Sequence, residues 1–210
     1  MILYHGTHVQ NIKTLKPIAT CRNAISKSVV CLTPNPYIAL FYIWNRTYKW
    51  VSFNEDENGK VVFTEHYENM LYDFYNDIGG SIYECDGNNT NISQTHMNGV
   101  YISESPVNVE KETLIPNVYD EILKQEALGN IIIRRYNQLP DEEKSLISKT
   151  IIRAIHMQKL LFTSDHAPKT EQTNFVRSHF SEEWETASKM TMQEIKQMMN
   201  EWKSSLHKNK

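Results

Sequence analysis

Apolar positions recur along this chain in two rhythms. In the first part they form short runs rich in Val, Ile, Tyr and Phe, broken by Gly, Pro and Asn, the pattern of strands and turns. Ile2–Tyr4, Val29–Thr33, Lys49–Phe53, Val61–Thr64 and Gly80–Cys85 predict strands, and Val100–Val109 predicts a strand pair. Asn58-Gly59, between the third and fourth of these runs, predicts a β-hairpin. Three helices interrupt the strands. Tyr37–Trp44 follows Thr33-Pro34-Asn35-Pro36, with Asn35 as N-cap and Pro36 in the first turn, and its Tyr37, Phe41 and Trp44 share a face. Glu68–Ile78 ends at Gly79-Gly80, and a helix from the N-cap Asn117 to Leu128 ends at Gly129.

From Pro140 the rhythm becomes helical. Pro140-Asp141-Glu142-Glu143 opens a long amphipathic helix reaching about Phe162. A polar loop is expected over 163–173, followed by helices over Ser181–Ser188 and Thr191–Leu206. Thr191 and Glu194 have the spacing of a capping box, and Ile195, Met198, Met199 and Trp202 make an apolar stripe. That stripe suits packing on the rest of the chain, or an adaptable partner surface.

Composition narrows the classes. With 210 residues, 40% of them apolar, the chain is long enough for one good-sized domain with an appendage. A net charge of −3 argues against broad nucleic-acid binding, which needs clustered positive charge. No apolar run reaches the roughly 18 residues of a membrane span, no signal peptide is visible at the start, and the three cysteines form no CxxC pattern. A cytoplasmic protein without a membrane partner is expected. The eight histidines are scattered without an HExxH-like pair, so no metal site is expected.

The residues with most chemical content are Tyr4-His5-Gly6-Thr7 at the end of the first strand. His5 offers two ring nitrogens, and Gly6 lets a backbone or a flat ligand come close because it has no Cβ. The bland reading is a strand followed by a turn. The second strand ends on Thr33 and leads into an aromatic helix. The order, strand–His-Gly-Thr and then strand–Thr-Pro-x-x–aromatic helix, resembles the ADP-ribosyltransferase superfamily. That group includes the diphtheria-toxin-like toxins, the poly(ADP-ribose) polymerases and the rifampin ADP-ribosyltransferases. Gly80–Cys85 is similar to its central strand and Val100–Val109 to its late strand pair, so the likeness covers roughly residues 1–115.

The resemblance implies an α+β fold: a split, mainly antiparallel sheet of the ADP-ribosyltransferase type with flanking helices over 1–136, and a helical C-terminal extension over 137–210. It implies NAD as substrate, cleaved between nicotinamide and ribose, with ADP-ribose transferred to an acceptor or released. The acceptor, whether protein, nucleic acid or small molecule, is left open. His5 would hold a ribose hydroxyl, Gly6 would meet the nicotinamide carboxamide through its backbone, and Thr7 and Thr33 would flank the cofactor. Cys31 stands where the superfamily's tyrosine usually sits, which passes the stacking ring to Tyr37, Phe41 or Tyr42. The acid that answers the positive charge developing on the ribose is Glu104 first, then Asp86, then Glu84. With catalysis lost along with that tyrosine, the same fold would serve as a catalytically inactive module that binds NAD, ADP-ribose or a protein. A third reading leaves the His-Gly-Thr strand structural and gives the work to the C-terminal helices as an interaction protein.

Overall fold

The computed structural model describes residues 1–20, 27–48, 50–51, 53–89, 91–95, 97, 99–162, 167–191, 193–198 and 200. The readings at Cys21, Lys49, His96, His166, Met199, Trp202 and His207, and over 201–206, lie outside these residues. The chain is α+β and forms two compact units. The first comprises Met1–Asn45, Ser52–Glu65 and Asn69–Arg134; the second comprises Arg46–Val51, His66–Glu68 and Arg135–Lys210.

In the first unit, β1 (Ile2–Thr7) is followed by the two-residue strands β2 (Thr14–Leu15) and β3 (Ala19–Thr20), then β4 (Ser28–Leu32) and helix α1 (Pro36–Leu40). The hairpin β5 (Phe53–Glu55) and β6 (Val61–Thr64) turns at Gly59, whose φ of 76° favours a residue without a side chain. Helix α2 (Met70–Tyr75), β7 (Gly80–Asp86), β8 (Ile92–Gln94), β9 (Tyr101–Ser103), β10 (Val107–Asn108) and β11 (Lys111–Ile115) come next. Helix α3 (Val118–Ala127), capped by Asn117, and β12 (Ile131–Arg134) complete the unit.

The strands make mainly antiparallel sheets, ordered β1-β7-β11, β3-β4-β9-β8, β12-β6-β5 and the pair β10-β2; among the described residues only the β12–β6 pairing is parallel. Residues of the first two sheets share a core: Leu3, Tyr83 and Cys85 meet Val30 and Leu32, closed by Leu15 and Val107. A second, aromatic cluster stacks Phe41 on Phe53 and Phe63, with Tyr75 against its edge.

The second unit is helical, with α4 (Asp141–Met157), α5 (Ala167–His179) and α6 (Ser181–Lys189). Acids in the first turn of α4 (Asp141, Glu142, Glu143) complement the helix dipole. Trp50 and Tyr67 pack on Phe175 and Phe180, and Thr47 bonds to Glu171. Thr191 and Glu194 form the capping box, the Thr191 N–H donating to Oε2 at 2.8 Å.

Several boundaries differ from the sequence expectation; the long helix expected to reach about Phe162, for one, ends at Met157. The first helix stops at Leu40, so Trp44 does not share a helical face with Tyr37. The strand expected from Lys49 begins only at Phe53. The polar stretch 167–173 is helix, not loop: its Gln172 and Thr173 are themselves buried, and Gln172 bonds to Gln158 at 2.6 Å. A helix that buries polar side chains hides its period from a hydrophobicity reading.

Candidate functional site

Two of the sheets are tied together at one point. Tyr4 and Thr33 form an isolated antiparallel bridge, with N–H···O contacts of 2.7 and 3.0 Å in the two directions. Beyond it the strands part: β1 runs on beside β7, while β4 runs beside β9. His5, the next residue, stands at this fork. Its Nδ1 lies 2.8 Å from the carbonyl oxygen of Cys31. A carbonyl only accepts, so Nδ1 carries the proton and Nε2 presents a lone pair. Burial lowers the imidazole pKa, and the bond to Cys31 opposes the shift without cancelling it. The ring is therefore neutral at pH 7. Nε2 has no partner among the described residues.

The residues around His5 divide into those that shape the fork and those that leave it. A Cβ on Gly6 would sit 1.8 Å from the Ala39 carbonyl oxygen, so the missing side chain serves the packing of α1 on β1. Thr7 pairs with Ser81 and accepts from the Val9 N–H at 3.3 Å. Thr33 is buried and accepts from the Asn35 N–H; Asn35 in turn accepts from the Tyr37 N–H at 2.9 Å and caps α1. Tyr37 is half-buried in the first turn of that helix and Tyr42 is exposed. Phe41 corrects the expectation of a ligand-stacking ring. It is 0% exposed and lies between Phe53 and Phe63, so it belongs to the core.

None of the three acids is placed beside the imidazole by the contacts it makes. Glu104, just past β9, holds Lys27 at 2.8 Å, and both side chains are more than half exposed. Asp86 pairs with Ile2 at the far end of β7, where its Oδ1 accepts from the N–H and the amide of Asn88, both at 2.9 Å. Glu84 is opposite Tyr4 and Lys111 and bonds the lysine at 2.7 Å. Side chains alternate along a strand, so Glu84 projects from the face of β7 opposite to that of Tyr83 and His5.

The residue opposite His5 is Tyr83, and Glu112 lies opposite Tyr83 on its other side. The three form a row across β1, β7 and β11 on one face. One oxygen of Glu112 accepts from the Ser81 hydroxyl at 2.6 Å, the Tyr83 hydroxyl at 2.9 Å and the Asn11 N–H at 2.9 Å. These donors, Ser81 first, hold its carboxyl below the usual carboxylate range. Tyr83 also meets the Val9 carbonyl at 3.0 Å and accepts from the Ile12 N–H at 3.2 Å. The sequence reading missed this network. The only signal was Ser81 and Tyr83 alternating with apolar residues on a strand, and nothing local pointed to Glu112.

No group of His, Cys, Asp and Glu suited to a metal ion occurs among the described residues, and none of their helices is long and apolar enough to cross a membrane. No protein-family model, no curated protein and no solved structure matches the chain.

Proposed function

We propose that the first unit is a divergent ADP-ribosyltransferase-type domain that takes NAD, or ADP-ribose, at the fork between β1 and β4. The observation that carries this reading is the state of His5: a neutral ring anchored through Nδ1, with Nε2 left as an acceptor where two sheets separate. A sugar hydroxyl is the kind of donor that such a nitrogen takes. Thr33 and the backbone of Gly6 stand next to it, and Tyr37 and Tyr42 keep exposed ring surface on the chain that follows. As an enzyme the domain would break the bond between nicotinamide and ribose and pass ADP-ribose to an acceptor or to water.

A second reading is a binding module without catalysis. The placement of the acids favours it: Glu104 is tied to Lys27, Asp86 to its own turn, and Glu84 to Lys111 on the other face. Incubating the full chain with NAD while following nicotinamide release, together with calorimetry against ADP-ribose, decides between them. Release of nicotinamide supports the enzyme. Binding without release supports the module. Neither binding nor release at millimolar ligand removes both.

A further inference from the structure

We infer that Glu112 is a positioning residue for His5, acting through Tyr83 and through the loop that leaves β1; the ligand part of this inference rests on the function proposed above. Neighbouring strands lie about 4.8 Å apart, so the backbone of Glu112, two strands away, stands about 10 Å from that of His5. Tyr83 fills the space between. Its ring is the cross-strand neighbour of the imidazole, and its hydroxyl is fixed by Glu112, Val9 and Ile12.

The same carboxylate takes the N–H of Asn11, a non-glycine residue with φ of 61°. Asn is among the residues with a side chain that adopt this left-handed conformation most readily. The bond to Glu112 fixes its N–H there. The loop that follows Thr7 is thus held at Tyr83 by the Ile12 N–H, which donates to the phenol oxygen, and at Glu112 by the Asn11 N–H, while the single phenol proton is shared between Glu112 and the Val9 carbonyl. This arrangement sets the neighbour of the imidazole and the exit of the strand that carries it. A purely structural role for Glu112 would affect melting alone. A positioning role also changes the protonation and tautomer of His5.

The test uses the full chain with Glu112→Ala, which removes the carboxylate, and Glu112→Gln, which keeps an oxygen acceptor in place. Nitrogen-15 NMR of the histidine rings reads the His5 tautomer and pKa, and calorimetry reads ADP-ribose affinity. In Glu112→Ala the Nδ1–H form gives way to a mixture, the His5 pKa rises toward its ordinary value, and ADP-ribose affinity falls about tenfold. Glu112→Gln restores most of each. A folded Glu112→Ala protein with an unchanged His5 tautomer and pKa overturns the inference, whether or not the wild type binds ADP-ribose. A wild type that binds no ADP-ribose overturns the functional reading and leaves the imidazole result to stand on its own. If Glu112→Ala does not fold, Tyr83→Phe, which removes only the hydroxyl, must produce the same displacement of the His5 signals, and unchanged signals reject the role.

Discussion

The imidazole Nδ1 of His5 and the carbonyl oxygen of Cys31 stand 2.8 Å apart, across the gap that opens once β1 and β4 stop pairing. This one contact fixes which nitrogen of the ring is available.

His5→Ala removes the acceptor and leaves a ligand hydroxyl unpaired. ADP-ribose binding should weaken by about 1–3 kcal/mol, roughly 5- to 150-fold, measured by calorimetry. The His5 pKa lies below its ordinary 6.5, so affinity should be flat from pH 8 through 7. It should drop only at more acid pH, when Nε2 takes a proton and can no longer accept. An affinity that already falls between pH 8 and pH 7 would contradict the lowered His5 pKa and remove the neutral ring from the site.

Gly6→Ala places a methyl group 1.8 Å from the Ala39 carbonyl oxygen and 3.3 Å from Ile43. Backbone cannot yield as a flexible side chain can, so the helix or the strand must move. We expect a loss of about 3 kcal/mol or more in a denaturant titration, in the upper range for overpacking. A variant as stable as the wild type would show that α1 does not pack as described.

Glu104→Gln should leave stability unchanged to within about 0.5 kcal/mol, because an exposed ion pair contributes little. The same variant tests the acid. If Glu104 answers charge on the ribose, nicotinamide release falls about 100-fold while NAD affinity barely changes. An unchanged rate places the chemistry on another residue.

His66, in the second unit, has its pKa pushed down from 6.5 to about 4 by burial. Above pH 6.5 its ring is neutral in both the folded and the unfolded chain. Below that the unfolded chain takes up a proton that the folded ring refuses, so stability erodes as the pH falls toward about 4. The ceiling is about 3 kcal/mol, from 1.36 kcal/mol per pKa unit. His5 and His156 shift in the same direction, so the comparison is between wild type and His66→Gln. The difference in melting temperature between the two proteins should change over that window and stay constant above it.

What could be read from the sequence was what local chemistry decides. Asn35 and Asn117 cap their helices through contacts two or three residues on, and Gly59 turns its hairpin within the run that names it. Strand-ending residues fell at the fork because the runs before them are apolar and short. What could not be read depends on distant partners. Ser81 and Tyr83 find Glu112 some 30 residues later, at separations of 31 and 29, and no periodicity marks that pairing. The helix α5 was hidden for the same reason, since Gln172 is buried against a side chain 14 positions earlier. Glu104 and Asp86 were site acids by the superfamily resemblance, not by any local pattern. The contact of Glu104 with Lys27 becomes visible only once distant strands are laid side by side, whereas that of Asp86 with Asn88 spans two residues and is local.

The second unit draws Arg46–Val51 and His66–Glu68 from between the elements of the first. The two units are therefore not separable as genetic cassettes. A cut or a recombination after residue 136 leaves Trp50 and Tyr67 on one piece and Phe175 and Phe180, the rings they pack against, on the other. Each half would then carry aromatic surface made for the other, and such surfaces gather into aggregates. For this chain, inheritance is all or nothing: the strands that carry His5 and the helices that follow must be passed on together.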